Sequence, residues 1–596
     1  MRSYLRLGEN GGIEGVYEDG MGGIYVYDDL DQFKESVPVV PPYLDFIVRP
    51  RPNTILPVDW ERLLQKTCFG GANSSKTLYP YQVETIEKIV EQMDGRALLA
   101  ADMGMGKTIM GCILSKHYGG KALFVVRASL ATHWISEYKM IFGADSDIQH
   151  FETKKDVVKS DVVVVSYNIF RDTPHLRSRA WDFLLVDESH DIKHDSGQGK
   201  AVCELAGRAK ECILLSGTPQ EKFSPDLFNQ VHCLFPRVFD DKEVFIQRYS
   251  SGRYDRYKRW VPFGSLNQEE LHILLDTLMI RLKDDKQENL PFMHRYIQPM
   301  TCIGENLAAL EKMRMEGELC SAELAKHKRE KNERQIKLYE EEYLQICNQT
   351  QNLSGIIKAS ICGPWLRKYM STLSSTEKFV FFFEHKNVRE ALEESLREEG
   401  LEFEHIDKDV PQARRREILA KMRSVDDPLR FLLASYRTCA AGISLCPATC
   451  YCIFVELAYL PTTMLQAEKR INRPGATKDA HVIWLNLASS RDVHGMSVLQ
   501  KRFKDIRRVV DGERDQSIDL IHLDEFIEEG VVVAESPLGD PDNQQKTRRT
   551  TSPLKRLKRF AQEDVCEPTE DSQEASHKPK RTKRSRATLS SEKESS

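Results

Sequence analysis

Phe183-Leu184-Leu185-Val186-Asp187-Glu188-Ser189-His190 decides how this chain is read. Four apolar residues in a row read as a buried strand, and two acids follow at its tip. Upstream, Ala97-Leu98-Leu99-Ala100 leads into Ala101-Asp102-Met103-Gly104-Met105-Gly106-Lys107-Thr108. The first position of the phosphate-loop pattern is Ala101 rather than glycine, but Gly104 and Gly106 still permit a tight turn. Its amides would face an anion at a helix start. Lys107 would reach the β- and γ-phosphates, and Thr108 would bind Mg²⁺. Either run alone is weak, because a Gly-rich turn with an incidental Lys-Thr or an acidic pair capping a helix is ordinary. Both runs in this order, each behind an apolar strand, are what holding Mg-ATP and activating a water require. Asp187 would hold the metal, and Glu188 would orient and deprotonate the water.

Short apolar runs recur around this pair. Ala122-Leu123-Phe124-Val125-Val126, Val162-Val163-Val164-Val165 and Cys212-Ile213-Leu214-Leu215 alternate with helix-like stretches. Such runs read as parallel strands, and the alternation predicts a doubly wound α/β lobe over residues 77–300. Residues 301–370 turn charged and helical, as in Lys326 to Glu342. They predict a solvated connector that, with Arg281 and Lys283 just before it, braces the lobes. A second α/β lobe is expected over residues 371–535. Its strand-like runs begin at Lys378-Phe379-Val380-Phe381-Phe382-Phe383 and include Phe431-Leu432-Leu433-Ala434 and His481-Val482-Ile483-Trp484-Leu485. Residues 1–76 are Gly-rich, acidic and aromatic and read as a small β-rich region of unknown role. Residues 536–596 read as a basic, disordered tail.

A chain of 596 residues is too long for one core. Lys+Arg number 85 against 90 Asp+Glu, a balance that taken alone argues against a nucleic-acid partner. The charge is uneven, however. Residues 541–596 hold 14 Lys+Arg and 9 Asp+Glu, so net charge does not settle the substrate. Lys555-Arg556-Leu557-Lys558-Arg559 and the run Lys578 to Arg586 read equally as nuclear-import or DNA-binding segments and as solvated charge. The 14 cysteines form no framework; Cys446, Cys450 and Cys452 cluster without a second pair at zinc-ligand spacing. No stretch is apolar enough to span a membrane, and an intracellular, membrane-free protein is expected.

The two opening motifs and Leu215-Ser216-Gly217-Thr218-Pro219 resemble motifs I, II and III of superfamily-two helicases, and specifically the SWI/SNF-related (Snf-type) ATPases. Lys378 to Lys386 resembles motif IV, and Ser435 to Leu445 resembles motif V. Gln466-Ala467-Glu468-Lys469-Arg470-Ile471-Asn472-Arg473-Pro474-Gly475 resembles motif VI. Within the family the wording is most similar to the HARP-type annealing helicases. The resemblance implies two RecA-like lobes with ATP and Mg²⁺ between them. It also implies that Gln82 reads the adenine and that the loop from Asp102 through Met103, Gly104, Met105 and Gly106 cradles the nucleotide. Gln466 would line the cleft, Arg470 and Arg473 would act on the γ-phosphate, and Ser216 and Thr218 would couple the nucleotide to DNA. Duplex, forked or junction DNA is the implied partner, fork remodelling and repair the implied role, and the nucleus the implied location. Motif VI departs from the family pattern at Asn472, Pro474 and Ala476. Lys408 stands where glycine is usual, and Arg127-Ala128-Ser129-Leu130 replaces a Pro-x-Ser-Leu run.

Two rivals remain. A nucleosome-moving remodeller is disfavoured because no histone-reading module is recognisable. A non-hydrolysing scaffold is disfavoured because it has no chemical need for Lys107, Glu188, Arg470 and Arg473.

Overall fold

The computed structural model describes residues 2–527 apart from short stretches, the longest being 48–57, 65–76 and 437–444. The expected tail, most of motif V and Pro474 lie outside the described residues.

Five of the strands read from sequence form the middle of a seven-stranded sheet. Its order is Met279–Leu282, Arg96–Ala101, Glu211–Ser216, Phe183–Asp187, Ala122–Val126, Val162–Ser166 and Ile148–Phe151. All neighbours pair in parallel. The central strands are buried along nearly their whole length because helices cover both faces. This is a doubly wound lobe, and it places Ala101, Asp187 and Ser216 at one edge, the C-terminal ends of adjacent strands.

A second parallel sheet has eight strands. Phe403–Ile406, Phe431–Ser435, Lys378–Phe383, Thr449–Phe454, Ala480–Leu487 and Met293–Thr301 run in that order. Ile521–His522 and Phe526–Ile527 both pair with Met293–Thr301. The boundary expected at residue 300 is therefore corrected. The first lobe's sheet is complete at Leu282, and Met293–Thr301 pairs with Ala480–Leu487 in the second sheet. Its first four residues are only half-buried, so no continuous apolar run marks it as a strand.

The helices Glu305–Glu330 and Glu333–Met370 form an antiparallel hairpin, tied by Lys328–Glu340 at 3.0 Å and by His327 stacked on Tyr339. Its root belongs to the second lobe, where Leu353, Ile356, Ile357 and Trp365 are buried and Lys358 pairs with Asp492 at 2.7 Å. The bracing expected of this hairpin falls mainly to the helix Asp492–Val510. Leu499 and Phe503 pack in the second lobe's core, while Val509 and Val510 join the first lobe's core. Arg281 and Lys283 bond to Asp511 and Glu513 just beyond that helix.

At the N-terminus, Arg2–Leu7, Ile13–Glu18 and Ile24–Tyr27 form an antiparallel meander. It rests on the first lobe: Leu5 N and Leu7 N donate to Glu270 Oε2 and Glu269 Oε1 at 3.1 and 2.8 Å.

Candidate active site

The strand Arg96–Ala101 runs into the phosphate loop, and the helix Lys107–Tyr118 leaves it. Gly104 and Gly106 have φ of 88° and 80°. Gly106, the residue capping that helix, is favoured by its positive φ, and a Cβ there would also push Gln82 Nε2 off the loop. Gln82 closes the loop from one side. Its Nε2 donates to Met105 O at 3.2 Å, and its Oε1 accepts from Tyr79 N at 3.0 Å. Lys107 Nζ folds back to donate to Ala101 O at 2.6 Å and Asp102 O at 3.1 Å. Burial pushes its ammonium below the ordinary lysine range, with the charges of Glu188 and Asp187 opposing. Thr108 stands half-buried in the first turn of the helix. Asp102 does not face the loop's interior: its carboxylate accepts from Arg281 Nη1 at 2.7 Å.

Asp187 is held on every side. Trp134 Nε1 donates to its Oδ2 at 2.8 Å, Glu188 N to its Oδ1 at 3.0 Å, and Tyr167 OH to its carbonyl at 2.6 Å. Burial, then the charge of Glu188, push its carboxyl up to about 6. Glu188 has φ 51° and ψ 50°, a left-handed conformation costly for a residue with a side chain. Its Oε2 is buried, lies 3.4 Å from His190 Nδ1 and has no hydrogen-bond partner. A buried carboxylate oxygen left unsatisfied needs an explanation, and an acceptor kept open for a water's proton is one.

A line of contacts leaves this acid for the second lobe. His190 Nδ1 meets Ser216 Oγ at 3.0 Å, and Ser216 Oγ accepts from Thr218 N at 3.0 Å. Gln466 Nε2 then donates to Thr218 Oγ1 at 3.3 Å across the lobes. Behind His190, Arg127 Nη2 lies 3.1 Å from Nε2, and the guanidinium clamps Asp191, Nε donating to Oδ2 at 2.7 Å and Nη2 to Oδ1 at 2.8 Å. From motif VI, Arg473 Nη2 comes to 3.6 Å from Met103 Sδ in the loop, while its Nε donates to Lys469 O. Arg470 is 1% exposed. Asn472, one of the departures, donates to Pro291 O at 3.2 Å.

The structure thus gathers Gln82, the loop, Asp187, Glu188, Ser216, Thr218, Gln466 and Arg473 at one cleft. It turns the side chain of Asp102 elsewhere and shuts Arg470 in. Reading the sequence missed Trp134 and Tyr167, and it named Arg281 for bracing without its contact to Asp102. Trp134 lies 53 residues from Asp187 on a helix whose Trp134–Tyr138 pair reads as ordinary core, so no local signal marks it.

Two parallel sheets with a phosphate loop, a strand-tip acid pair and an arginine from the second lobe define a two-lobed, helicase-type phosphate-loop fold. Models of the SNF2-related domain and of the helicase conserved C-terminal domain match residues 81–352 and 364–475. This chain belongs to the SNF2-related family of helicase-like proteins. A Caenorhabditis elegans protein, "SWI/SNF-related matrix-associated actin-dependent regulator of chromatin subfamily A-like protein 1 homolog", is 27% identical over 75% of this chain and 64% of its own length. "DNA annealing helicase and endonuclease ZRANB3" of Bos taurus is 26% identical over 74% of this chain and 41% of its own length. The chain therefore spans less than two thirds of each of these relatives. "Uncharacterized ATP-dependent helicase YqhH" of Bacillus subtilis (strain 168) is 24% identical, over 76% of this chain and 83% of its own. Among solved structures, "Sulfolobus solfataricus SWI2/SNF2 ATPase core in complex with dsDNA" covers 73% of this chain and 97% of its own, at 19% identity and a TM-score of 0.35. No helix among the described residues is long and apolar enough to cross a membrane.

Proposed function

We propose that this protein is a DNA-dependent ATPase that translocates on DNA and remodels DNA structures as annealing helicases do. The observation that carries the reading is the meeting of Glu188, with its open Oε2, Lys107 and Arg473 at one cleft. The donor set fits a magnesium-bound nucleoside triphosphate: a hydroxyl, a carboxylate, a loop of amides and two cations from opposite lobes. Thr108 and Asp187 would hold Mg²⁺, which neutralises phosphate charge.

Each residue then has a task. Lys107 exchanges its loop carbonyls for the β- and γ-phosphates. Trp134 keeps the Asp187 carboxylate oriented, as partners of metal-ligating groups commonly do. Glu188 takes the proton of the attacking water, and its strained backbone aims the carboxylate. Arg473 supplies positive charge to the γ-phosphate when the lobes close, and Arg470 joins it only if closure releases its side chain. The line Glu188–His190–Ser216–Thr218–Gln466 reports the state of the acid to the second lobe. DNA would lie across both lobes, bound through phosphates without sequence reading. The two basic runs after residue 550 serve nuclear import, and repair of stalled forks is the setting that fits. A chromatin remodeller shares all of this chemistry and is the second reading.

The test is steady-state ATP hydrolysis with no nucleic acid, single-stranded DNA, duplex DNA, forked DNA and RNA, with Glu188→Gln as control. Strongest stimulation by forked or junction DNA supports annealing and fork remodelling. Equal stimulation by plain duplex points to a generic translocase or remodeller. No stimulated turnover overturns the reading in favour of a binding scaffold.

A further inference from the structure

The phosphate loop has a second anchor with no part in the chemistry above. Arg281, on the edge strand Met279–Leu282, donates through Nη1 to Asp102 Oδ1 at 2.7 Å and to Ala100 O at 3.1 Å. Its Nε donates to Asp511 Oδ1 at 2.6 Å. Asp102 opens the phosphate loop. Asp511 caps the helix Asp492–Val510, whose other end is built into the second lobe. One guanidinium therefore grips the stem of the loop and the second lobe's arm together, although Asp511 lies 230 residues away in sequence. The three side chains are only 20, 19 and 10% exposed, so solvent screens the contacts weakly.

The arm is seated with care at this point. Val509 and Val510 are buried in the first lobe's core, His272 Nδ1 lies 3.0 Å from Val509 O, and Gln268 Nε2 donates to Asp505 Oδ1 at 2.9 Å. Lys283 pairs with Glu513. Gly512, at φ 67°, turns the chain so tightly against the His272 ring that a Cβ would collide with it. These contacts suffice to dock the arm, and none of them touches the phosphate loop. Arg281 adds the connection to Asp102, and its rigid fork presents separate nitrogens to the two acids in fixed directions, which a single ammonium nitrogen does not. On the loop side, Asp102 N donates to Leu282 O at 2.9 Å, so the strand carrying Arg281 and the loop stem move as one piece.

We propose that Arg281 is a positioning residue, a clasp through which the seating of the second lobe's arm sets the phosphate loop. Movement of the second lobe on nucleic acid is then felt at the nucleotide site through the arm, separately from the Gln466–Thr218 contact. The effect on turnover rests on the DNA-dependent ATPase reading, whereas the effect on the loop does not.

The full chain carrying Asp511→Asn, which keeps shape and removes the charge, is compared with Arg281→Lys, which keeps charge and removes the fork. Amide hydrogen exchange is followed without nucleotide or DNA. In both variants, exchange at Gly104–Lys107 should quicken about five-fold or more, the low end of measured couplings between sites, while the strand Lys378–Phe383 is unchanged. The double variant should add nothing to the single ones, because one connection is broken only once. In turnover, Asp511→Asn should keep its DNA-free rate and lose about five-fold or more of its DNA stimulation. Loop exchange equal to wild type, or quickening spread evenly through the first lobe, overturns the clasp. If the wild-type protein shows no DNA stimulation, the functional reading fails and the exchange result alone decides the clasp.

Discussion

Two glutamates at equivalent places in the two lobes are treated in opposite ways. Glu188 follows the strand Phe183–Asp187 in the first lobe, and Glu456 lies just past the strand Thr449–Phe454 in the second. Both stand at the C-terminal edge of a parallel sheet, Glu456 buried and Glu188 half-buried with its Oε2 covered. Glu456 Oε2 accepts from Glu384 N at 2.7 Å and His385 N at 3.0 Å, and its Oε1 meets His385 Nδ1 at 2.7 Å. Glu188 leaves Oε2 with no hydrogen bond and adopts a strained backbone. A saturated buried carboxylate holds its surroundings together; an open one costs stability, and at Glu188, beside the phosphate loop, the proposed function gives that cost a use. The same contrast extends to the lobes. In the first, Asp187 has a donor on each carboxylate oxygen, whereas Arg473 in the second reaches the loop with one guanidinium nitrogen, 3.6 Å from Met103 Sδ. Under the proposed function, the first lobe presents a formed half-site and the second would complete it on closure.

Removing the open acid breaks the contrast most severely. Glu188→Gln or Lys107→Ala should abolish turnover, a loss of roughly 10³-fold or more, because water activation or phosphate charge is lost outright. Circular dichroism and the melting temperature should stay close to wild type. DNA-dependent turnover that survives in Glu188→Gln would remove this residue from the role of base. Arg473→Ala should follow at about 10³-fold in kcat, the lower range for arginine fingers, with ATP affinity nearly kept because the first lobe does the binding. Equal losses in affinity and kcat would mean that the second lobe helps to form the ground-state site, and the contrast between lobes would fall. Arg470→Ala is the companion: its burial predicts a lower melting temperature as well as lower turnover.

How much of this could be read from the chain depends on sequence distance. The phosphate loop and the acid pair are local patterns on strand ends, and motif VI is one on a helix end, so their chemistry and order show in the sequence. The two doubly wound sheets follow from apolar runs such as Val162–Val165. What stayed hidden is made by side chains meeting from far apart: Trp134 on Asp187, Gln466 on Thr218, Arg281 on Asp511. The strand Met293–Thr301 was hidden for another reason. It is half-buried and carries His294, Arg295 and Gln298, so it lacks the apolar signature of its neighbours. Asp102 is a mixed case: its place in the loop is legible from the motif, but the grip of Arg281 on its carboxylate is not.

Trp134→Phe sharpens the view of the first lobe as the formed half. It keeps an aromatic ring against Phe124, smaller by one fused ring, and removes the indole donor to Asp187 Oδ2. Turnover at limiting Mg²⁺ should drop about 10–100-fold, the range for partners of metal-ligating groups, and saturating Mg²⁺ should restore much of it. A loss that Mg²⁺ cannot relieve would mean that Trp134 acts by packing alone.

Glu456→Gln is the control for the opening contrast and should disturb turnover least. One oxygen still serves the amides of Glu384 and His385, but the new amide group meets His385 Nδ1 and the charge that strengthened all three bonds is gone. A cost of about 2 kcal/mol to the second lobe is expected. For a lobe of this size that lowers the melting temperature by roughly 4–8 °C, with kcat under saturating ATP within about two-fold of wild type below that temperature. The pair of Gln substitutions thus separates two uses of one residue type: at 188 the fold survives and the chemistry stops, and at 456 the chemistry survives while the fold weakens. Should Glu456→Gln stop turnover in a protein that melts like wild type, saturation by hydrogen bonds would no longer distinguish a structural acid from a reactive one in this cleft, and the second lobe would have to be given a chemical role of its own.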